Sequence, residues 1–270
     1  MVRITAWRRH PLARYAVLIL ALALVGMVYA ALVQAGKPAD AALAAGKVDD
    51  VAEGRSLFEK HCMSCHGTNA QGIDGKAPTL IGVGAAAVDF QMSTGRMPAG
   101  APGPQAPRKP LPEWVNETKI RQISAYVQSL GGGPQVPAAE QVDGKLGDAG
   151  KGGELFRANC IQCHNWAGAG GALTQGKHAP SLNESTPTQI YEAMITGPQA
   201  MPVFNDTTIT PEEKRSMIAY ITQVRAQKDP GGFGLGRIGP VTEGLVAWIV
   251  GIAVLALAAI WITAKKRQKP

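Results

Sequence analysis

The chain has 270 residues, 46% of them hydrophobic, and a net charge of +7 from 27 basic and 20 acidic side chains. That length suits one large domain or two small ones. Arg3, Arg8, Arg9 and Arg14 near the start and Lys265, Lys266, Arg267 and Lys269 at the end account for eight of the basic residues, leaving 19 against 20 acids between them; the fold-level basic stripe of a nucleic-acid binder is therefore missing, and nucleic acid is not an expected partner.

The first element in chain order is Tyr15 to Gly36, 22 residues without a charge. A helix needs about 20 apolar residues to cross a bilayer. Residues 1–36 therefore read as an N-terminal transmembrane anchor. Positive charges, an apolar core and the following "VQA" also describe a cleaved signal peptide, and the excess length favours the anchor. At the other end, Gly244 to Ala264 gives a second uncharged run, with Trp248 and Trp261 near its two ends. Residues 242–264 read as a C-terminal transmembrane helix and 265–270 as a basic cytoplasmic tail. Both basic clusters lie outside the runs, so both termini are expected in the cytoplasm. The chain is then a multi-pass protein of the cell membrane, with everything between the runs on the extracytoplasmic face.

That middle is an internal repeat. "RSLFEKHCMSCH" (55–66) aligns without a gap on "GELFRANCIQCH" (153–164). "KAPTL" is answered by "HAPSL", "GRMP" by "GPQAMP", and "KIRQISAYVQSL" by "KRSMIAYITQVR", in the same order. The expected domains are 46–131 and 151–228. A Gly/Pro-rich linker is expected at 132–150 and another at 229–241. Val51, Leu57 and Phe58 give a helix that leads into the first cysteines. Ile120, Ile123, Val127 and Leu130 give a closing helix at 3.6-residue spacing. Tyr126 and Tyr220 occupy equivalent places in the two closing helices. No segment alternates as a strand, so the middle is expected to be all-α.

The four cysteines of the chain, Cys62, Cys65, Cys160 and Cys163, form two C-x-x-C pairs, and His66 or His164 follows each. C-x-x-C-H reads as covalent haem c attachment. On a helix, positions i, i+3 and i+4 adjoin. Cys62 and Cys65 can thus reach the two vinyl groups of one haem while His66 ligates its iron, and Cys160, Cys163 and His164 can do the same. Zinc also takes Cys and His, but it would want a fourth convergent ligand in each copy. Two covalently bound haem c groups per chain are the expected cofactors. Methionine as the sixth ligand raises the potential and closes the site. Met97 and Met201 each precede proline at matching places and are the candidate axial ligands. Met92 and Met194 also recur, without the proline. His61, His178 and His10 are not expected to ligate.

The ordered set "CMSCHG", "APTLIGVG", "STGRMPAG", "QAPRKP", "AYVQSLGGGP", "GGELFRANCIQCHN", "GKHAPSL" and "MITGPQAMP", with the glycine-rich run before "AWIVG", carries a family resemblance. It resembles the dihaem cytochrome c subunit of the actinobacterial cytochrome bcc complex, the menaquinol–cytochrome c reductase. The resemblance spans about residue 50 to 264. It implies two tandem class I cytochrome c-like domains with transmembrane helices at both ends. It also implies an electron-transfer subunit of a translocase, with no catalytic site of its own. The implied partners are the cytochrome b and Rieske iron–sulfur subunits of the same complex and the copper-centre subunit of a terminal cytochrome c oxidase. Electrons would pass from the Rieske protein through the first and then the second domain. In small c-type cytochromes a proline carbonyl orients the ligand histidine, which implies that role for Pro78 and Pro180. Rival readings are a dihaem subunit of a haem–copper oxidase, a dihaem peroxidase and a gas sensor. The last two need an open or switchable iron, which carbon monoxide would detect.

Overall fold

A computed structural model describes residues 15, 19–27, 50–103, 105–227, 235–237 and 240–266. Most of the N-terminal apolar run lies outside the described residues; 19–27 are helical and exposed. The first domain runs through α1 (50–61), α2 (Met63–His66), α3 (Ala85–Ser93) and α4 (Glu117–Ser129). After α5 (Ala139–Val142), the second domain repeats the order with α6 (Ala149–Asn159), α7 (Ile161–His164), α8 (Pro187–Thr196) and α9 (Pro211–Ala226). The helix starts are legible chemically. Asn116 accepts from the Lys119 N–H, and Asp148 from those of Gly150 and Lys151. Thr186 with Gln189 and Thr210 with Glu213 form capping boxes, each followed by proline at the first helical position.

In both domains the leading helix crosses the closing helix backbone to backbone. A Cβ on Gly54 would lie 1.9 Å from the Gln122 carbonyl oxygen, and one on Gly152 1.9 Å from that of Ser216. One turn on, Phe58 meets Tyr126 at 5.3 Å between ring centroids, and Phe156 meets Tyr220 at 5.4 Å. Both phenylalanines are fully buried. Ile120, Ile123 and Val127 join Phe58 in one core; Met217, Ile218 and Ile221 join Phe156 in the other.

Two departures from an all-α middle with open linkers stand out. β1 (Gly171–Ala172) and β2 (His178–Ala179) pair antiparallel as a minimal hairpin; two residues per strand are too few to leave an alternating pattern. Part of the stretch read as a linker at 132–150 lies against the second domain. Gly144 and Gly147 bring the chain onto the backbone of α9, and Gln141 donates to the Tyr191 hydroxyl at 3.1 Å. Beyond α9, Arg237 donates to the carbonyls of Val224 and Gln227, closing the helix C-terminus. α10 (Pro240–Lys266) follows; its segment Val241–Ala264 is long and apolar enough to cross a membrane, with a mean hydropathy of 2.7 and no burial.

The two domains pack through α3 and α8. Gln189, already part of a cap, donates to Ser93 Oγ at 3.1 Å and accepts from Arg108 at 2.6 Å. Beneath them Glu192 is fully buried, and its oxygens have no N–H or O–H donor among the described residues. It faces Asp89 across the interface. Burial, reinforced by the charge of Asp89, pushes the Glu192 carboxyl up to about 10, so it stays protonated at neutral pH and donates to Asp89. Burial also raises Asp89. An acid raised on folding stabilises fully below its unfolded pKa, and that contribution is lost as pH climbs towards the folded one. Glu192→Gln removes the titration and keeps a donor towards Asp89. Thermal melts across pH 4 to 9 are expected to show the variant level with the parent at the acid end and increasingly more stable above it, by on the order of 2 kcal/mol at pH 7.

Candidate functional site

Each C-x-x-C-H occupies a single tight turn. The first cysteine ends the leading helix, and its carbonyl accepts from the histidine N–H: His66 to Cys62 at 3.0 Å and His164 to Cys160 at 2.9 Å. This arrangement puts two thiols and an imidazole at one helix end. Cys160 is buried and Cys62 half-buried, while Cys65 and Cys163 are exposed. Burial, with the neighbouring cysteine adding to it, pushes the Cys62 thiol up to about 11 and Cys160 to about 12. Among the described residues no cluster of three or more His, Cys, Asp or Glu is arranged to hold a metal.

The imidazoles are oriented identically. His66 Nδ1 lies 2.8 Å from the Pro78 carbonyl oxygen, and His164 Nδ1 3.1 Å from that of Pro180. A carbonyl only accepts, so Nδ1 carries the proton and Nε2 keeps its lone pair for a metal. Burial further lowers the His164 pKa, the bond to Pro180 opposing it. The loop that delivers each proline closes on a glycine with φ of +84°, Gly72 or Gly170. A Cβ on Gly72 would approach the Thr79 nitrogen to 2.6 Å, and one on Gly170 the Ala179 oxygen to 2.5 Å. Both positions need glycine for conformation and for space.

In the second domain Cys160, Cys163, His164, Pro180 and Met201 line one crevice whose wall is mainly apolar. A flat macrocycle with an apolar face and a central iron fits these donors: two thiols at one edge, an imidazole lone pair, and a thioether. In the first domain Cys62 and Met97 pack against the core that holds Phe58. Met92 and Met194 are core residues, 4% and 2% exposed. His61 stacks on the Trp114 indole at 3.8 Å rather than standing free in solvent. His178 lines the second crevice, and its backbone is bonded to the Gln105 side chain.

Some participants carried no signal in the repeat. Phe90, Arg96 and Gln105 belong to the first domain, yet they line the crevice of the second. The strap at 105–108 holds to both rims: Gln105 exchanges two hydrogen bonds with the His178 backbone, and Gln199 donates to the Ala106 carbonyl at 3.0 Å. Arg108 donates to the Glu184 carbonyl at 2.8 Å.

Comparison with known proteins follows the same division. The family described as "Cytochrome c" matches residues 51–131, and "Cytochrome C oxidase, cbb3-type, subunit III" matches 147–221. The cytochrome bc1 complex cytochrome c subunit of Mycobacterium leprae is 47% identical over 220 residues, 78% of this chain and 74% of that protein. The subunit of the same name from Corynebacterium diphtheriae is 42% identical over 255 residues, 88% and 90% of the two chains. A cbb3-type cytochrome c oxidase subunit of Rhodobacter capsulatus is 32% identical over 110 residues, 36% of this chain and 33% of that one. With two matched cytochrome c domains, an apolar C-terminal helix and identity along most of its length, the chain belongs to the family of cytochrome c subunits of the cytochrome bc1 complex, electron-transfer cytochromes c.

Proposed function

We propose that this chain holds two haem c groups covalently, one on Cys62 and Cys65 and one on Cys160 and Cys163, and relays electrons from a Rieske iron–sulfur protein to a terminal oxidase. The observation that carries the reading is the twice-built set of two thiols on one turn with an imidazole whose Nδ1 faces a proline carbonyl. Bound haem supplies reversible one-electron iron chemistry. The chain's part is to hold, orient and insulate. His66 and His164 present Nε2 to the iron, and Pro78 and Pro180 fix the rings. Met97 and Met201 would supply a thioether to the iron, a ligand that favours the reduced state. The apolar walls keep water out, which lowers the local dielectric around any charge that moves.

The relatives' names support partners within a cytochrome bc1 complex. Membership of a cytochrome bc1 complex brings a cytochrome b subunit and a Rieske subunit into reach. The further step to the copper centre of an oxidase rests on the second domain standing in for a mobile cytochrome c. Two domains on one anchored chain confront donor and acceptor at high effective concentration. A role as subunit of a haem–copper oxidase draws on the cbb3-type match at 147–221, but that likeness covers 36% of the chain against 88% for the bc1 subunit. The membrane orientation is part of the proposal: domains outside, Lys265 onward inside.

Attachment is checked on denaturing gels stained for haem. The parent should give a band at the chain mass, and Cys65→Ala and Cys163→Ala should each remove about half of the stain, since each takes one thiol from one of two equivalent sites. Orientation is checked with protease on intact spheroplasts, which should digest the domains and spare an epitope placed after Pro270. The relay is checked with Met97→His and Met201→His. Both should keep six-coordinate iron at a lowered potential and slow quinol-driven oxygen reduction. In the steady state, Met97→His should leave the second haem oxidised, and Met201→His should back electrons onto the first.

A further inference from the structure

The second domain's crevice is not built from the second domain alone. Arg96 reaches it from the first domain. It is 7% exposed, and its Nη1 is buried without a hydrogen-bond partner among the described residues. Its guanidinium lies 5.1 Å from the ring centroid of Phe90, which lines the same crevice. Of the described residues around the crevice, Arg96 is the one Arg or Lys, and Asp and Glu are missing from the lining. The charge that acts on it is that of Arg108, another cation. A buried guanidinium without a carboxylate is costly, and the cost is relieved by an anion that enters the cavity.

We propose that Arg96 of the first domain is the anion-holding residue of the second domain's haem, its guanidinium donating to a haem propionate. The assignment rests on the reading that this crevice holds haem c. Haem c has two fixed ends: vinyl carbons that take the cysteine sulfurs, and carboxylates that need donors when water is excluded. The thiols of Cys160 and Cys163 serve the first end. A guanidinium suits the second, because its planar fork matches a carboxylate bidentately. The neutral donors Gln105 and Asn159 also line the crevice, but neither brings a charge. Arg96 precedes Met97, so consecutive residues would serve the two haems: Arg96 the acidic edge of the second, Met97 the iron of the first. A buried positive charge beside a haem favours its reduced form, which is one charge less positive.

The test uses the full membrane chain with both haems attached. Potentiometric titration should resolve two waves, the second haem's being the one that Met201→His displaces. Arg96→Gln is expected to move that wave to lower potential by more than it moves the first, with haem stain and helical circular dichroism unchanged. The propionate bending band in the resonance Raman spectrum of the reduced protein should shift with it. Arg96→Lys keeps the charge and loses the fork, and its second wave is expected to fall between parent and Arg96→Gln. A second wave that stays in place in Arg96→Gln, or moves no more than the first, overturns the assignment. The double variant Cys160→Ala, Cys163→Ala, which leaves no thiol in this crevice for a thioether bond, separates this failure from a deeper one. Full haem stain in that variant overturns the haem site in this crevice and the proposal with it, whereas two intact haems with an unmoved second wave overturn the role of Arg96 alone.

Discussion

Two helices in each domain touch through their backbones, at Gly54 against Gln122 and at Gly152 against Ser216, and the rest of each domain is hung from that contact. With the axes this close, the phenylalanine one turn further along meets the tyrosine of the closing helix. The leading helix then ends where it must for the turn that follows to gather two thiols and an imidazole on one side. A domain of this size buries too little apolar surface for any of these placements to be free of the others. The histidine is fixed from the far side by a proline carbonyl, and that carbonyl is delivered by a loop that only glycine closes. Helix crossing, cysteine turn and proline loop thus form one mechanical chain, present twice.

Between the copies the chemistry changes. The α3–α8 interface buries a carboxyl pair, a glutamine with all its amide atoms in use, and an arginine that clips one domain to the other. These are polar contacts of high directional demand, and they specify one relative placement more strictly than an apolar patch of the same area would. For an electron-transfer cytochrome c with two such domains, that strictness holds one domain in register with the other. The protonated Glu192 shows the compromise: it costs stability as pH rises, and it lies where the two domains meet.

Much of this was legible in the sequence, and the reason is periodicity. The repeat, the two C-x-x-C-H turns, the Met-Pro pairs and the closing helices are local patterns. A local pattern survives translation into structure because helical spacing alone puts Ile120, Ile123 and Val127 on one face. Gly54 and Gly152 stand one residue before the aligned blocks and are mute there, since nothing in a sequence tells a packing glycine from a flexible one. Gln141 and Gly144 lay in a stretch whose composition reads as a linker; only contact with α9 gives them a role. Arg96 was the least legible. It sits inside a repeated motif, but its partner in the other copy is not a cation, and the surface it meets belongs to a domain some hundred residues on.

The copies differ most between the Met-Pro and the closing helix. The first domain takes a longer route from Met97 to the cap at Asn116 than the second takes from Met201 to Thr210, and the strap at 105–108 lies in that extra length. The strap therefore runs one way, from the first domain across the crevice of its neighbour. Such a head-to-tail contact has polarity, unlike the self-complementary contact of a symmetric pair. Domain order along the chain is consequently not interchangeable. Transposing the copies would leave the strap grasping at solvent and the short-looped domain's crevice with one wall missing. The two halves repeat one plan, and the longer loop of the first gives the pair a front and a back.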